Sequence, residues 1–250
     1  MVPERFTDPF GAVAANYATF RPTYPAPLFD MLVALVPDRR AAWDCATGSG
    51  QAACALAARF RRVVASDASA AQLAAAPRGH AGLTYVRARA EAAPFASQSF
   101  DLVTIAQALH WVDIPSFWRE ARRVLVPGGI VAAWTYSLCH VTPDIDRIVE
   151  RFYREVIGPF WAPGRVLTDT GYRTVPFPFT EFDLTAPDMA ATLTLPEFLG
   201  YIGTWSATEA CRAATGADPL VALHESLAPV WGRSDIERPV HWPLHLRVGR

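Results

Sequence analysis

Hydrophobic residues in the first half of the chain follow two alternating patterns. Short apolar runs, typical of buried strands, are separated by stretches whose apolar residues recur every three or four positions, as on one face of a helix. The runs predict strands over residues 41–46, 62–66, 83–89, 100–107 and 130–136. The periodic stretches predict helices over residues 25–36, 51–60, 69–76 and 116–125, the last ended by Pro127-Gly128-Gly129. This alternation is typical of βαβ units around a parallel sheet.

The second half of the chain is less regular. Residues 144–157 predict a helix, residues 163–178 an ordered loop rich in Pro and Gly, and residues 181–185 a strand. Residues 240–248 alternate between apolar and polar side chains, which predicts a final strand. Pro243 lacks a backbone N–H, so it requires an edge position or a bulge there.

Capping patterns predict three further helices in this half. Their starts are indicated at Thr194 with Glu197, at Ser206 with Glu209, and at Asp218 before Pro219. Gly216 and Gly232 stand where C-terminal glycines belong. Since no repeat or convincing linker interrupts the chain, we expect one domain over residues 1–250.

Composition and charge narrow the class of protein. With 51% hydrophobic and 19% charged residues, the chain is expected to be globular and soluble. A net charge of −1 creates no global attraction to nucleic acid or anionic lipid, so neither is expected as a partner. No apolar run reaches the roughly 20 residues of a membrane span. Residues 1–8 lack the apolar core of a signal peptide, so we expect none there, and the reduced cysteines expected in this chain favour a cytoplasmic location.

The four cysteines carry little chemistry. Cys45, Cys54, Cys139 and Cys211 form no Cys-x-x-Cys pair, and no Cys/His spacing resembles a zinc site. We therefore expect free, reduced thiols and no metal.

A glycine-rich turn between the first strand and the second helix is the first candidate for chemistry. Residues 44–50 read Asp-Cys-Ala-Thr-Gly-Ser-Gly, and glycines there let the backbone turn tightly and approach a ligand. The residues from Gly48 to Ala53 also fit the dinucleotide fingerprint Gly-x-Gly-x-x-Gly/Ala. The segment alone indicates a site for a nucleotide-type cofactor. The alternative is a glycine-rich turn that binds no ligand.

Asp67, at the end of the second strand, is the next candidate. A carboxylate there can accept both hydroxyls of a ribose. The alternative is that Asp67 caps the helix that follows. Because both NAD and S-adenosylmethionine carry a ribose, Asp67 does not distinguish them.

Three further segments, in order, make the chain resemble the type 11 family of class I methyltransferases over residues 41–136. They are residues 90–95 followed by 99–103, the Ala-Leu-His-Trp of residues 108–111, and the Arg-Val-Leu-Val-Pro-Gly-Gly of residues 123–129. Upstream, Tyr17 with Phe20-Arg21-Pro22-Thr23-Tyr24-Pro25 is similar to the entry segment of a subgroup that includes trans-aconitate and other small-acid methyltransferases.

The resemblance implies a fold and a cofactor. The fold would be Rossmann-like α/β, a mostly parallel seven-stranded sheet with an antiparallel last strand and helical insertions in the C-terminal half. Residues 1–137 would form the cofactor-binding core with N-terminal helices, and residues 138–250 the substrate-covering helices and last strands. S-adenosyl-L-methionine would be the cofactor. The residues that would bind it are Asp44, Ala46, Thr47, Gly48, Gly50, Asp67, Ala68, Ala90, Glu91 and Gln107.

Within that set, the first glycine of the family's loop is Ala46 here. Its methyl group stands where the backbone approaches the ligand, so we expect the loop to lie slightly farther away. Asp44 and the residues from Gly48 to Gly50 would hold the methionine end, Asp67 the ribose, and Ala90-Glu91 the adenine. Gln107 would border the transferable methyl group.

Substrate-side residues are harder to predict. His110, just past the fourth strand, could take a proton from an acidic substrate or could only brace its loop. Arg21 could clamp a carboxylate or lie on the surface. The candidate pocket walls are Tyr24, Trp111, Tyr136 and Trp205, each of which could equally belong to the core. Aromatic residues of the second half are expected to close over the cofactor.

The sequence thus predicts an S-adenosylmethionine-dependent methyltransferase that acts on a small molecule, with a carboxylic acid favoured. Three alternatives stay open at this point. A nicotinamide oxidoreductase would leave Glu91 and His110-Trp111 unexplained, and a nucleic-acid methyltransferase would share the fold but lacks a supporting basic charge. A protein that binds the cofactor without chemistry is the third. The oligomeric state is not readable from the sequence.

Overall fold

The computed structural model describes residues 20–250, so Tyr17 and the other residues before position 20 lie outside the described part. Eight strands are assigned: β1 Ala41–Cys45, β2 Arg62–Asp67, β3 Leu83–Arg87, β4 Phe100–Ala106, β5 Leu125–Tyr136, β6 Ala190–Leu193, β7 Arg238–His241 and β8 Leu244–Gly249. Nine α-helices are assigned within the same residues: α1 Ala26–Leu35, α2 Gln51–Ala57, α3 Ala70–Ala75, α4 Ile114–Val124, α5 Pro143–Arg151, α6 Arg165–Asp169, α7 Leu195–Gly203, α8 Ser206–Thr215 and α9 Leu220–Trp231. In the part of the chain that begins at Phe20, none of these helices is long and apolar enough to cross a bilayer.

The main sheet confirms the predicted α/β class. Its order is β3-β2-β1-β4-β5-β8, in which the first five strands are parallel and β8 runs antiparallel to β5. The sheet has six assigned strands rather than seven. The predicted strand at residues 181–185 makes one bridge, between Glu181 and Gly249, beside β8. It follows the sheet edge without forming a regular ladder.

Helices cover both faces of this sheet. On one face, α1 and α2 pack against alternate strand residues in a buried cluster that includes Phe29, Leu56 and Trp134. On the other face, α4 contributes Phe117 to a second cluster built around Trp43. Because both faces are covered, the central strands are buried and mostly apolar, as expected for a parallel sheet, with Asp44, Asp101 and Thr104 as buried polar exceptions in β1 and β4.

The turn before the fifth strand differs from the prediction. Pro127-Gly128-Gly129 does not separate a helix from a strand, since β5 already begins at Leu125. The pairing of β4 with β5 jumps from Phe100↔Leu125 to Leu102↔Ile130, so the three residues form an irregularity inside β5. Gly128 has φ of +79°, a conformation that glycine allows at little cost.

The C-terminal half forms a third cluster, built by α5 and α7–α9 with Tyr136 from the sheet. The capping box of Thr194 with Glu197 is confirmed, but the one at Ser206 is wrong. The buried Trp205 is the N-cap of α8, and its carbonyl accepts the N–H of Thr208.

The predicted final strand is divided at Trp242-Pro243. The first part, β7, pairs with β6, a strand that the sequence pattern did not predict, and the second part, β8, joins the main sheet. Pro243 explains the division because it cannot donate a ladder hydrogen bond.

Candidate functional site

A cavity of about 610 Å³ lies at the carboxyl ends of the parallel strands. Segments that follow β1, β2, β3 and β4 meet there, together with residues 21–24 and the last residue of β5. The strand order reverses between β1 and β4, and ligands of open α/β sheets bind outside the strands at such a switch point. Among the predicted site residues, the cavity wall includes Arg21, Tyr24, Ala46, Thr47, Gly48, Asp67, Ala68, Ala90, Glu91, Gln107, Trp111 and Tyr136.

The glycine-rich turn connects β1 to α2 beneath the cavity. The N–H of Thr47 donates to the Ser66 carbonyl at 2.9 Å, which ties the turn to β2. Gly50 has φ of +86°, and a Cβ there would stand 2.5 Å from the Tyr85 hydroxyl. The position therefore requires glycine for both its conformation and its close contact. Gly50 itself does not line the cavity.

Ala46, at the position where the methyltransferases that the chain resembles have glycine, adopts the left-handed conformation, with φ of +49°. An L-residue in this region costs about 1–2 kcal/mol, whereas glycine's greater freedom in the unfolded chain costs roughly 0.5–1 kcal/mol. We expect Ala46→Gly to raise the free energy of unfolding by about 0.5 kcal/mol in urea denaturation. Ala55→Gly, inside α2, is the control and should lower it by about 1 kcal/mol. A loss at Ala46 as large as the loss at Ala55 would contradict this account.

Asp67 connects the glycine turn to the helix after β2. Its Oδ2 accepts the N–H of Gly48 at 2.8 Å, and its Oδ1 accepts the N–H of Ser69 at 2.8 Å. A carboxylate has about four lone-pair sites, so it can accept more hydrogen bonds than these two. The structure thus places Asp67 at the cavity wall, whereas the N-cap of the following helix is Ser69, so Asp67 does not cap that helix itself.

Asp44 lies beneath the turn rather than on the cavity wall. It is 1% exposed, and its carboxylate accepts hydrogen bonds from the hydroxyls of Thr47 and Thr104. Burial raises its pKa to about 6, although these hydrogen bonds act in the opposite direction. Since Thr47 does line the cavity, Asp44 can act on a ligand by holding Thr47.

Gln107 follows β4 with φ of +51°, a second left-handed non-glycine residue at the cavity. Its side-chain oxygen accepts the Thr135 hydroxyl, and its Nε2 donates to the Tyr136 carbonyl at 3.3 Å. These contacts with β5 fix the amide at the cavity wall. Strained conformations of this kind are concentrated at functional sites.

The predicted adenine side combines apolar and charged groups. Ala90 and Val112 line the cavity beside Glu91, whose Oε1 accepts the N–H of Asp113 at 3.0 Å. The other Glu91 oxygen accepts from Arg89 at 3.3 Å. Trp111 lies on the same wall with 39% of its surface exposed. Glu91 therefore connects the segment after β3 to the start of α4.

Arg21 reaches the cavity from the N-terminal side and also contacts the C-terminal half. It donates to the Tyr136 hydroxyl at 2.8 Å and to the Thr204 carbonyl at 3.0 Å. Tyr24 packs edge-on against Trp134, with ring centroids 5.4 Å apart. Because the Tyr136 oxygen accepts from a guanidinium, its own proton can be donated to a ligand.

His110 lies outside the cavity wall, in a partly buried position. Its Nδ1 is 3.0 Å from the Tyr172 hydroxyl and 3.2 Å from the Thr168 hydroxyl. Burial, with a smaller contribution from the charge of Arg165, lowers its pKa to about 3. A base of this pKa accepts protons weakly at neutral pH. These features favour the bracing interpretation.

We expect His110→Ala to lower the free energy of unfolding by about 1–2 kcal/mol, because two buried hydroxyls lose their partner. His110→Asn can place an amide near the Nδ1 position without supplying an imidazole. If His110 braces the loop, the asparagine variant should recover both stability and turnover. If His110 is a general base, both variants should lose ~10²-fold in turnover with unchanged cofactor affinity.

The aromatic residues of the second half do not form the expected cavity wall. Trp205 packs against Tyr153, Trp161 and Tyr201, with ring centroids 5.6–6.1 Å apart. Phe177 packs against Trp118 in the cluster built around Trp43. Within residues 20–250, the cavity wall includes no residue after Tyr136. Trp205, predicted as a pocket wall, does not line the cavity and packs in the C-terminal cluster, one residue from the Thr204 carbonyl that accepts from Arg21.

Gln72, which the sequence pattern did not single out, lines the cavity from α3. It is 4% exposed, and its side-chain oxygen has no hydrogen-bond partner among the described residues. The available signal was a polar residue three positions after the Ser69 cap, on the helix face that packs against the sheet. Helical spacing alone does not show that such a residue faces a cavity.

The wall chemistry fits an S-adenosyl ligand. Hydroxyl donors of a ribose match two acceptors, the Asp67 carboxylate and the unpaired oxygen of Gln72. An adenine ring matches the apolar surface of Ala75, Ala90 and Val112. The residues present can therefore hold the nucleoside portion of the cofactor.

The sequence and the fold of the chain are both similar to those of known methyltransferases. The type 11 methyltransferase domain matches residues 43–133. A Dictyostelium discoideum protein described as a methyltransferase is 32% identical over 99% of this chain and 97% of its own length. The structure of an Anaeromyxobacter dehalogenans protein described as a type II methyltransferase is 44% identical, with a TM-score of 0.85, and covers 92% of this chain and 98% of that one. A malonyl-[acyl-carrier protein] O-methyltransferase of Enterobacter lignolyticus is 39% identical over 43% of this chain and 44% of its length.

Proposed function

The chain belongs to the type 11 family of methyltransferase domains and takes its methyl group from S-adenosylmethionine, and we propose that the acceptor is a small molecule that carries a carboxylate. The observation that supports this acceptor is the hydrogen bond from Arg21 to the Tyr136 hydroxyl. Both residues line the cavity, and neither is among the predicted cofactor-binding residues. A guanidinium and a phenol are both hydrogen-bond donors, and carboxylate oxygens are acceptors.

The reaction needs few catalytic groups. When bound, S-adenosylmethionine supplies a methyl group on a positively charged sulfur. A carboxylate oxygen bonds to the methyl carbon while the carbon–sulfur bond breaks, and the electron pair of that bond stays on sulfur. The products are a methyl ester and the neutral thioether S-adenosylhomocysteine. No proton is transferred, which is consistent with the position of His110 away from the cavity wall.

The residues of the chain contribute by positioning. Asp67 and the glycine turn would hold the cofactor, Gln107 would border the methyl group, and Tyr136 would orient the acceptor with the support of Arg21. Correct placement of two reactants within one cavity can supply much of the rate enhancement of such a displacement. We propose that residues 1–137 form this core and that residues 138–250 support it through the Thr204 contact with Arg21.

A small acceptor is preferred to a nucleic acid because the net charge of −1 provides no general attraction for phosphate. We also propose a cytoplasmic location, since all four cysteines are free thiols, which reducing compartments maintain. Family membership does not support the nicotinamide alternative. The trans-aconitate subgroup remains a prediction.

The test is a methyl-transfer screen with labelled S-adenosylmethionine, guided by mass spectrometry of small molecules that co-purify with the protein. The acceptors are mono-, di- and tricarboxylic acids, their matched amides, transfer RNA and peptides. We expect label in an acid and none in its amide. Tyr136→Phe should raise KM for that acid without changing the affinity for S-adenosylhomocysteine. Label in an RNA, a peptide or an amine nitrogen would overturn the proposal.

A further inference from the structure

We infer that Gln72 binds the ribose of the cofactor through its side-chain oxygen, sharing this part of the ligand with Asp67; the inference rests on the proposed function. Gln72 belongs to α3, whose first turn is fixed by the Ser69 hydroxyl, which accepts the Gln72 N–H at 3.2 Å. The backbone of Gln72 is therefore anchored, and its side chain extends to the cavity wall.

The position of the Gln72 oxygen points to the ribose. A Cβ built on Gly48 would stand 3.8 Å from the Gln72 Oε1, so this oxygen lies beside the glycine turn. The N–H of Gly48 donates to the Asp67 carboxylate at 2.8 Å. Gly48 thus lies between two acceptor groups, Asp67 and Gln72, on one stretch of wall. Two neighbouring acceptors suit a pair of neighbouring hydroxyl donors, which is the arrangement on a ribose.

The burial of Gln72 makes a purely structural role unfavourable. A buried polar atom without a partner lowers the stability of a fold, and such atoms are rare in native proteins. The Gln72 oxygen is in this situation among residues 20–250. A ligand hydroxyl would supply the missing donor. The same residue should therefore cost stability in the ligand-free protein and contribute affinity in the complex.

The effects on stability and on affinity are opposite in sign, and Gln72→Met tests both. Methionine keeps the length of the side chain and its helix propensity but removes the amide. In ligand-free protein, we expect the midpoint of urea unfolding to stay the same or rise. In calorimetric titration, the affinity for S-adenosylhomocysteine should fall about tenfold, the value of one hydrogen bond to a buried partner. A structural role predicts a lower unfolding midpoint instead, and that result would overturn the inference.

A second ligand identifies the part of the cofactor involved. Methylthioadenosine carries the adenine and ribose but lacks the amino-acid portion. We expect Gln72→Met to weaken methylthioadenosine binding by the same factor as S-adenosylhomocysteine. A loss confined to S-adenosylhomocysteine would assign Gln72 to the methionine end and overturn the ribose assignment.

Controls separate this inference from the proposed function. Leu73→Met introduces the same side chain at the neighbouring buried position, which does not line the cavity, and should leave both affinities unchanged. Gln72→Leu repeats the test with a second apolar residue should the methionine variant fail to fold. If the wild-type protein does not bind S-adenosylhomocysteine, the proposed function fails; if it binds and Gln72→Met binds equally well, this inference alone fails.

Discussion

Replacing Asp67 with alanine should weaken the binding of S-adenosylhomocysteine by about tenfold or more. The change removes one or two charge-assisted hydrogen bonds to the ribose, each worth about 1.5–3 kcal/mol. It also removes the acceptor for the Gly48 N–H, which the carboxylate holds at 2.8 Å, so the glycine turn loses a fixed position. Calorimetric titration of wild-type and variant protein measures the effect.

Two further variants separate these contributions. Asp67→Asn keeps one oxygen that can accept from Gly48 or Ser69, so it should show a smaller loss of affinity than alanine. Asp235→Ala removes an exposed acid that pairs with Arg233 and does not line the cavity, and should leave the affinity unchanged. Affinity within threefold of wild type in Asp67→Ala would show that the ribose is held elsewhere.

The free energy of unfolding should depend on pH through Asp44. Burial raises its folded-state pKa from 3.8 to about 6. Between pH 4 and pH 6 the unfolded chain has released this proton while the folded chain still holds it, so stability falls as the pH rises through this window. A pKa shift of this size lowers the free energy of unfolding by about 3 kcal/mol. This loss is absent below pH 4 and complete above about pH 7.

Asp44→Asn isolates this effect because asparagine does not ionise. Relative to wild type, the variant should gain up to about 3 kcal/mol between pH 4 and pH 7 in urea denaturation, offset by a pH-independent cost of about 1 kcal/mol for altered bonds to Thr47 and Thr104. His110 has a lowered pKa and contributes the opposite slope, but it is present in both proteins and cancels in the difference. A difference that stays constant from pH 4 to pH 7 would show that Asp44 is not perturbed.

The cofactor side of the fold could be predicted from the sequence because its signals are local. Each parallel strand is a short apolar run, and the residue that follows it lies at the same edge of the sheet as its neighbours. Asp67 at the end of β2 and Gln107 just after β4 therefore reach the cavity wall from strand ends that the pattern located within one residue. Ala46 keeps the left-handed conformation of the turn even without glycine, which shows that the surrounding backbone fixes the turn.

The remaining features depend on contacts between distant segments. His110 follows β4 closely, yet α6 and the residues after it bring Thr168 and Tyr172 against its ring and bury it. Its aromatic side chain made Trp205 a candidate for the pocket wall, but it packs against Tyr153 and Tyr201 in the C-terminal cluster. No spacing along the chain encodes such partners. The same reason explains why Gln72 was missed, since its importance lies in its position beside Gly48.

The most direct test of the account is calorimetric titration of the wild-type protein with S-adenosylhomocysteine and, in parallel, with NAD. Asp67 and the glycine turn alone would suit either ligand, whereas family membership and the wall formed by Ala90, Glu91 and Gln107 suit the first. The account predicts saturable binding of S-adenosylhomocysteine at one site and much weaker binding of NAD. Tighter binding of NAD than of S-adenosylhomocysteine would contradict it.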